Sequence, residues 1–383
     1  QPRRAGSPRA RPAPPVGRPR CGMKSYKVSI VGATGAVGVE LVSVLHRRDF
    51  PVASLRLFAS ARSAGKVVET PFGSLTMEEF SVEGARESDF CFLAVSGTFA
   101  KDHAEAIAEG DGPVVIDNSS AFRLEPNVPL VVPEINPHTL IGAKLIANPN
   151  CTTAVAAVAL WPLHKAFGLR KALVATYQAA SGAGAEGVEE LRSGTATYLE
   201  GGSVTSSVFQ HPLPFNVIPH IDKFQENLYT KEEMKVTLET RKIMGLDEDV
   251  AISCTAVRIP IMRAHSEVIV IETHRECDAD TARALLRSAP GVRLVDDPSK
   301  CEYPMPLTST SSLDVEAGRV RRSLVYGAHG LEFFVSGDQL LRGAALNAVL
   351  IAEVLVKGDI PAAVEGYTGP RRAQGGGGGV PPG

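Results

Sequence analysis

One cysteine in this chain sits where a thiol could do covalent chemistry. The segment Ile146-Ala-Asn-Pro-Asn-Cys-Thr-Thr153 ends a short β-like run and opens a long apolar helical pattern, which puts Cys151 at or near a helix amino terminus. A positive dipole end favours the thiolate there. An unperturbed thiol, with a pKa of about 8.5, is only slightly ionised at neutral pH, so a nucleophilic Cys needs such help. A second constellation is Gly32-Ala-Thr-Gly-Ala-Val-Gly38, which follows the β-rich stretch Lys27–Val31 and leads into the helical spacing of Val39–Arg48. Glycines at 32, 35 and 38 let backbone approach a pyrophosphate, and the helix that follows offers free N–H groups. Between a first strand and a first helix, this G-x-x-G-x-x-G spacing reads as a dinucleotide cradle, with Gly32, Thr34, Gly35, Ala36, Val37 and Gly38 as its lining.

The end of the second strand refines the cofactor. A site for NAD would place a carboxylate there to bond the ribose 2′-hydroxyl. Here Ser54–Ser60 runs into Ala61-Arg62-Ser63 without an acid. An arginine flanked by the hydroxyls of Ser60 and Ser63 suits a 2′-phosphate, so NADP is expected over NAD.

The elements that must position these groups fall into two sets. Ser54–Ala59, Asp89–Val95, Pro113–Ile116 and Lys144–Ala147 read as strands, with helical patterns such as Ala100–Glu109 between several of them. Strands alternating with crossover helices imply an α/β fold of the Rossmann type, a doubly wound parallel sheet, over residues 23–150. After Cys151 the pattern changes. A helix over Thr152–Phe167 leads to a strand at Ala172–Gln178, a helix at Lys231–Met244, strands at Val250–Ile259 and Glu267–Thr273, and a helix at Asp280–Ser288. This predicts an α+β domain with a mixed or antiparallel sheet over 151–337. A final Ala-rich helix, Asp338–Lys357, is expected to return to the first domain.

Length and composition set the outer bounds. With 383 residues, two domains are expected. A net charge of −2 gives no electrostatic reason to expect nucleic acid or an anionic membrane as partner. No apolar run approaches the ~20 residues of a membrane-spanning helix. The six cysteines contain no C-x-x-C pair, which argues against a structural metal site and for reduced thiols in a cytosol-like compartment. Cys91 and Cys254 lie in apolar runs and read as buried hydrophobes. Residues 1–22 are rich in Arg and Pro and lack acids, and read either as a transit peptide or as translated sequence ahead of a start at Met23. The Gly-rich stretch within 370–383 reads as a flexible tail.

Four ordered motifs carry a resemblance over roughly residues 25–360. Asn148-Pro-Asn-Cys-Thr-Thr153, Tyr177-Gln-Ala-Ala-Ser-Gly-Ala-Gly184, Glu232-Glu-Met-Lys235 and Val257-Arg-Ile-Pro-Ile-Met-Arg-Ala-His-Ser-Glu267 resemble successive motifs of aspartate-semialdehyde dehydrogenases, in the branch common in Gram-positive bacteria. The resemblance implies a catalytic and dimerisation domain after Cys151, a homodimer or homotetramer, and a place in lysine, threonine, methionine and isoleucine synthesis. It implies an NADP-dependent interconversion of 4-phospho-L-aspartate and L-aspartate 4-semialdehyde, with inorganic phosphate and no metal, in the cytoplasm or, behind a transit peptide, the plastid stroma. In it Cys151 forms an acyl-thioester and His265 is the general acid/base. Gln178 orients the intermediate, Arg258 grips the α-carboxylate and Glu232 faces the amino group. Arg123 and Lys235 bind phosphate, and Ser181 and Gly182 touch the nicotinamide end. Gln339 stands where many relatives have an Asn that contacts the cofactor. Spacing alone would read Glu232 and Lys235 as a surface ion pair on a helix, and His265 as a structural histidine.

The alternatives are N-acetyl-γ-glutamyl-phosphate reductases, whose nucleophile segment usually reads Gly-Cys-Tyr, and a non-catalytic nucleotide-binding homologue. Glyceraldehyde-3-phosphate dehydrogenases share the Cys/His logic, but their Ser-Cys-Thr-Thr-Asn segment and acidic NAD selector are missing here. Replacing Arg62 by Ala is expected to raise the KM for NADP far more than that for NAD; equal effects on both would remove the 2′-phosphate assignment.

Overall fold

The computed structural model describes residues 24–358, so the expectations for 1–22 and for the tail lie outside the described residues. The first sheet has seven strands in the order β3-β4-β2-β1-β5-β6-β7. They are β1 (Tyr26–Val31), β2 (Val52–Ala59), β3 (Val67–Thr70), β4 (Gly73–Glu79), β5 (Phe90–Leu93), β6 (Val114–Asp117) and β7 (Leu145–Ala147). All pair in parallel except β3, which runs antiparallel to β4. Helices α1 (Ala36–Arg47), α2 (Val82–Arg86) and α3 (Gly97–Ala108) make crossovers. The order in which successive strands are added reverses between β1 and β5, the crevice where doubly wound sheets bind ligands. The β5 residues Phe-Cys-Phe-Leu are buried on both faces, as a covered parallel sheet requires.

The second sheet, β11-β12-β13-β10-β8-β9, is mixed. Its strands are β8 (Leu169–Tyr177), β9 (Ala251–Thr255), β10 (His265–Thr273), β11 (Val292–Leu294), β12 (Val315–Arg322) and β13 (Gly330–Gly337). The remaining helices are α4 (Cys151–Phe167), α5 (Gly184–Leu199), α6 (Lys231–Met244), α7 (Ala279–Ser288), α8 (Pro306–Ser309) and α9 (Leu346–Lys357). Helix α4 is buried along almost its whole length and shares one core with β8, β10 and β13 and with residues of the first sheet. Leu346, Val349 and Ile351 of α9 pack with Val28 and Ile30 of β1.

Two expected elements change shape. Asp338–Lys357 is not one helix: residues 341–345 form a wider π-type turn, and the α-helix starts at Leu346. The strand expected over Val250–Ile259 ends at Thr255, because the next N–H groups leave the ladder. Ala256 N donates to Glu233 Oε1, Val257 N to Thr176 Oγ1 and Arg258 N to the Ile218 carbonyl.

Glu267 on β10 is fully buried, and its carboxyl oxygens find no hydrogen-bond partner among the described residues. Burial pushes its pKa well above the carboxylate range. A carboxyl whose pKa is higher folded than unfolded contributes most below the unfolded value, and that contribution is lost as pH rises toward the folded one. Glu267→Gln, which cannot ionise, is therefore expected to gain in Tm relative to the parent protein on going from pH 5 to pH 8. A constant Tm difference would contradict the neutral carboxyl.

Candidate active site

The nucleophile's position starts at Asn150, the N-cap of α4. Its side-chain oxygen accepts from Thr152 N at 2.9 Å and Thr153 N at 3.2 Å, which fixes Cys151 as the first helical residue. Asn150 is itself held by α6: its backbone N donates to Glu239 Oε2 at 2.6 Å, and its Nδ2 donates to Glu232 Oε1 at 3.0 Å. Helix α6 can aim these groups because a Thr230/Glu233 capping box sets its start and Gly245 in the left-handed region ends it. Glu232, Lys235, Glu239 and Lys242 recur at intervals of three and four, so they share one face.

From the other side, the π-type turn presses Gly343 onto the nucleophile. A Cβ on Gly343 would lie 2.5 Å from Cys151 Cβ and 2.6 Å from its Cα. The half-buried Cys151 thus has α6 below its cap and bare backbone at its flank.

A cavity of about 420 Å³ opens in front of the thiol, lined by Cys151, Gln178, Gly182, Arg258, Glu232, Lys235, Arg123 and Asp222 among others. Each wall is built by local folding. Gln178 follows β8 and is 1% exposed; its Oε1 accepts from Thr176 Oγ1, and its Nε2 donates to Glu232 Oε1 at 3.3 Å. Arg258 donates to the Ala179 carbonyl at 2.5 Å. Arg123 donates through Nε to the Asn148 carbonyl, through Nη2 to the Asn118 carbonyl and through Nη1 to Glu239 Oε1. Lys235 Nζ donates to Asp222 at 2.9 Å and to Glu232 at 3.1 Å. Glu232 and Lys235 therefore face the cavity wall and not solvent.

His265 opens β10 and is fully buried. Its Nδ1 accepts from Ala179 N at 3.1 Å, which leaves the proton of the neutral ring on Nε2. Nε2 has no partner among the described residues, and it lies 3.2 Å from where a Cβ on Gly182 would sit. That same Cβ would come within 2.8 Å of Arg258 Nη1, so only glycine at 182 keeps both groups open to the site.

The electrostatics differ from the expectation of a resting thiolate. Burial, with Glu232 beside it, pushes the Cys151 thiol up to about 11, against the downward pull of Arg123, Thr152 and Arg258. Burial and the neighbouring Arg258 take His265 down to about 3. Burial alone would raise Glu232, but Lys235, Asn150 and Gln178 hold it below the usual carboxylate range. Thiol and imidazole both rest uncharged between fixed ions.

The cofactor residues lie where β1 meets α1. Gly32 has φ +84°, and a Cβ there would sit 2.2 Å from the Ala94 carbonyl oxygen; one on Gly38 would sit 2.4 Å from the Gly32 oxygen. These two glycines are required by the close turn, while Gly35 caps α1 with room to spare. Thr34, Ala36 and Val37 complete the turn into α1. Such a backbone cradle fits a dinucleotide pyrophosphate. Gly32 N and Ala33 N donate to the Phe58 carbonyl, which brings the end of β2 beside this turn. Arg62 is exposed there, in a turn closed by Ser63 N on the Ser60 carbonyl. Gln339 Nε2 bonds Ser181 Oγ and its Oε1 accepts from Ala264 N, so both ends of that amide are already engaged within the protein. Residues that the sequence reading passed over are Asn150 and Glu239, which hold the nucleophile, Asp222, which holds Lys235, and Gly343; α6 phasing was the available signal for Glu239 alone.

Residues 27–143 match the model of the semialdehyde dehydrogenase NAD binding domain, and 160–342 that of the semialdehyde dehydrogenase dimerisation domain. The chain is 45% identical over 337 residues to the aspartate-semialdehyde dehydrogenase of Aquifex aeolicus, covering 87% of this chain and 98% of that protein. It is 44% identical over 344 residues to that of Bacillus subtilis, covering 87% and 98% respectively. The crystal structure of aspartate semialdehyde dehydrogenase II from Vibrio cholerae superposes with a TM-score of 0.83 at 37% identity, over 87% of this chain and 99% of that one.

Gly343→Ala is expected to displace Cys151 and cut turnover by about 100-fold or more, since an error of about 1 Å at a reacting atom costs that much. Overpacking here should cost stability by only about 1–3 kcal/mol, so the variant stays folded. Turnover within a few-fold of the parent would show that the contact does not set the nucleophile.

Proposed function

The chain belongs to the aspartate-semialdehyde dehydrogenases, and on that premise we propose how its own residues carry the reductive dephosphorylation of 4-phospho-L-aspartate to L-aspartate 4-semialdehyde. The observation that carries the reading is the convergence on one cavity of a helix-terminal thiol, two cations and a buried arginine. Arg258 pairs with the substrate α-carboxylate and Glu232 with its ammonium. An ammonium on Glu232 offsets the negative charge that helps hold the thiol up, so substrate binding itself eases ionisation of Cys151.

The sulfur then bonds to the acyl carbon as the bond from that carbon to the phosphate oxygen breaks. Arg123 and Lys235 face the departing phosphate, whose charge they offset. Gln178 Nε2 and His265 Nε2–H face the acyl oxygen and hold the charge that gathers there; of an acid/base role, the Ala179 bond to Nδ1 supports the donor half. When bound, NADP(H) supplies the hydride to the thioester carbon, or accepts it in reverse. The oxyanion then collapses: the carbon–sulfur bond breaks, the aldehyde leaves and the sulfur departs as a thiolate, which regains from solvent the proton lost when Cys151 ionised.

The cradle at Gly32–Gly38 holds the pyrophosphate, Arg62 with Ser60 and Ser63 selects NADP, and Ser181, Gly182 and Gln339 border the nicotinamide end. The division is nucleotide domain to residue 150, completed by 338–357, and catalytic domain over 151–337. A second copy of the chain covers the outer face of the second sheet, where exposed Leu173 lies on the same strand as Tyr177, stacked on Phe334. We place the protein with the branch common in Gram-positive bacteria, on the four motifs, and in the cytoplasm, or in the plastid stroma if residues 1–22 serve as a transit peptide.

With L-aspartate 4-semialdehyde, inorganic phosphate and NADP the protein is expected to form NADPH, with N-acetyl-glutamate semialdehyde inactive and Cys151→Ala inert. Because burial and Arg258 take His265 down to about 3, it is neutral around pH 7 and kcat/KM should rise with pH along the thiol alone. His265→Gln should lower the rate without changing that shape. Preference for the N-acetyl substrate would select the reductase reading, and an inflection near pH 6.5 that vanishes in His265→Gln would contradict the donor role.

A further inference from the structure

Arg123 and Cys151 act on opposite ends of the bond that breaks, yet they come from different parts of the chain. One buried carboxylate touches the supports of both. Glu239, 1% exposed on α6, accepts through Oε2 from Asn150 N at 2.6 Å and through Oε1 from Arg123 Nη1 at 3.2 Å. Both its oxygens are engaged. Arg123's other two bonds go to backbone carbonyls, so Glu239 is the only carboxylate that bonds it among the described residues. One turn further along α6, Lys242 Nζ donates to the carbonyls of Arg123, Glu125 and Val128. The backbone of the Arg123 loop is thus anchored separately, which leaves Glu239 to aim the guanidinium itself.

We propose that Glu239 is a positioning residue that locks the phosphate-binding arginine to the nucleophile's cap, so that phosphate is received at a fixed place relative to the sulfur. The proposal rests on the reading of Arg123 as a phosphate ligand. Its chemistry predicts a split between the two half-reactions. In Glu239→Gln, the amide oxygen can still accept from Asn150 N, the shorter bond, while the amide NH₂ is turned on Arg123, donor against donor. Formation of the thioester should then survive, and its resolution by phosphate should suffer.

The experiment follows the oxidative direction. A burst of NADPH from L-aspartate 4-semialdehyde and NADP without phosphate reads acylation of Cys151. Steady-state turnover against inorganic phosphate reads deacylation. Glu239→Gln is expected to keep the burst rate within about three-fold while kcat/KM for phosphate falls by about ten-fold or more, and Arg123→Ala to lose more on phosphate. In the double variant, Glu239→Gln should add no further loss, because the group it aims is gone. A merely structural role would lower both half-reactions together and give multiplying losses. If Glu239→Gln does not fold, Glu239→Asp, whose shorter side chain cannot reach Asn150 N and Arg123 together, is expected to keep the shorter Asn150 bond, lose the Arg123 one and show the same split. An unchanged kcat/KM for phosphate in the Glu239 variant, or losses that multiply, overturns the proposal. An unchanged value in Arg123→Ala would instead overturn the reading of the site.

Discussion

Much of the site is referred to the side chain and backbone of Asn150: Glu232 and Glu239 directly, and Gln178, Lys235 and Arg123 through those two carboxylates. Its oxygen caps the helix that begins with the nucleophile, its amide reaches Glu232 and its backbone N–H reaches Glu239. A cap of this kind contributes about 0.5–2 kcal/mol, and a hydrogen bond to a charged group about 1.5–3 kcal/mol. Stability is a minor part of what these bonds do. They fix α4 to α6, and α6 brings Lys235 and the carboxylate partner of Arg123 to the same wall. The angular error allowed to the sulfur is therefore set by two buried carboxylates on a rigid helix and not by a loop.

One of these carboxylates, Glu232, helps to explain why the resting site is electrically quiet. A helix amino terminus lowers a thiol's pKa, but here burial and Glu232 outweigh the dipole and both arginines, and Cys151 stays protonated. A neutral imidazole whose unpartnered Nε2 lies beside Gly182 of the cavity wall completes a site in which the reactive groups are uncharged and the fixed groups are not. On the proposed reading, charge develops only when a substrate bearing both an ammonium and a carboxylate settles between Glu232 and Arg258. Selectivity for an amino acid derivative and activation of the sulfur would then follow from one arrangement.

Much of the fold was legible because its period and burial agree. The strands of the parallel sheet are covered on both faces and read as apolar runs, and the glycine turn falls where β1 meets α1. The β3–β4 hairpin was missed because its residues are largely exposed and the apolar alternation on β4 is confined to Leu75 and Met77. Cys151 was legible from its place between a strand and a helix. Glu239 was not, although it is in phase with Glu232, because its partner Asn150 is 89 residues away and no local pattern announces that pairing. Gly343 was hidden inside an Ala-rich run that reads as plain helix; only the π-type turn reveals that it must be bare to admit Cys151. The resting charge of the thiol was misjudged for the same reason: the dipole is local, whereas the burial that defeats it is tertiary.

The central claim is that the sulfur of Cys151 carries the acyl group. Peptide mass analysis after rapid acid quench, with L-aspartate 4-semialdehyde and NADP but no phosphate, tests it most directly. The account predicts an aspartyl acyl adduct on the peptide containing Cys151, formed in step with the NADPH burst and removed by adding phosphate. A burst without any adduct, or an adduct on another residue that phosphate removes, would contradict it.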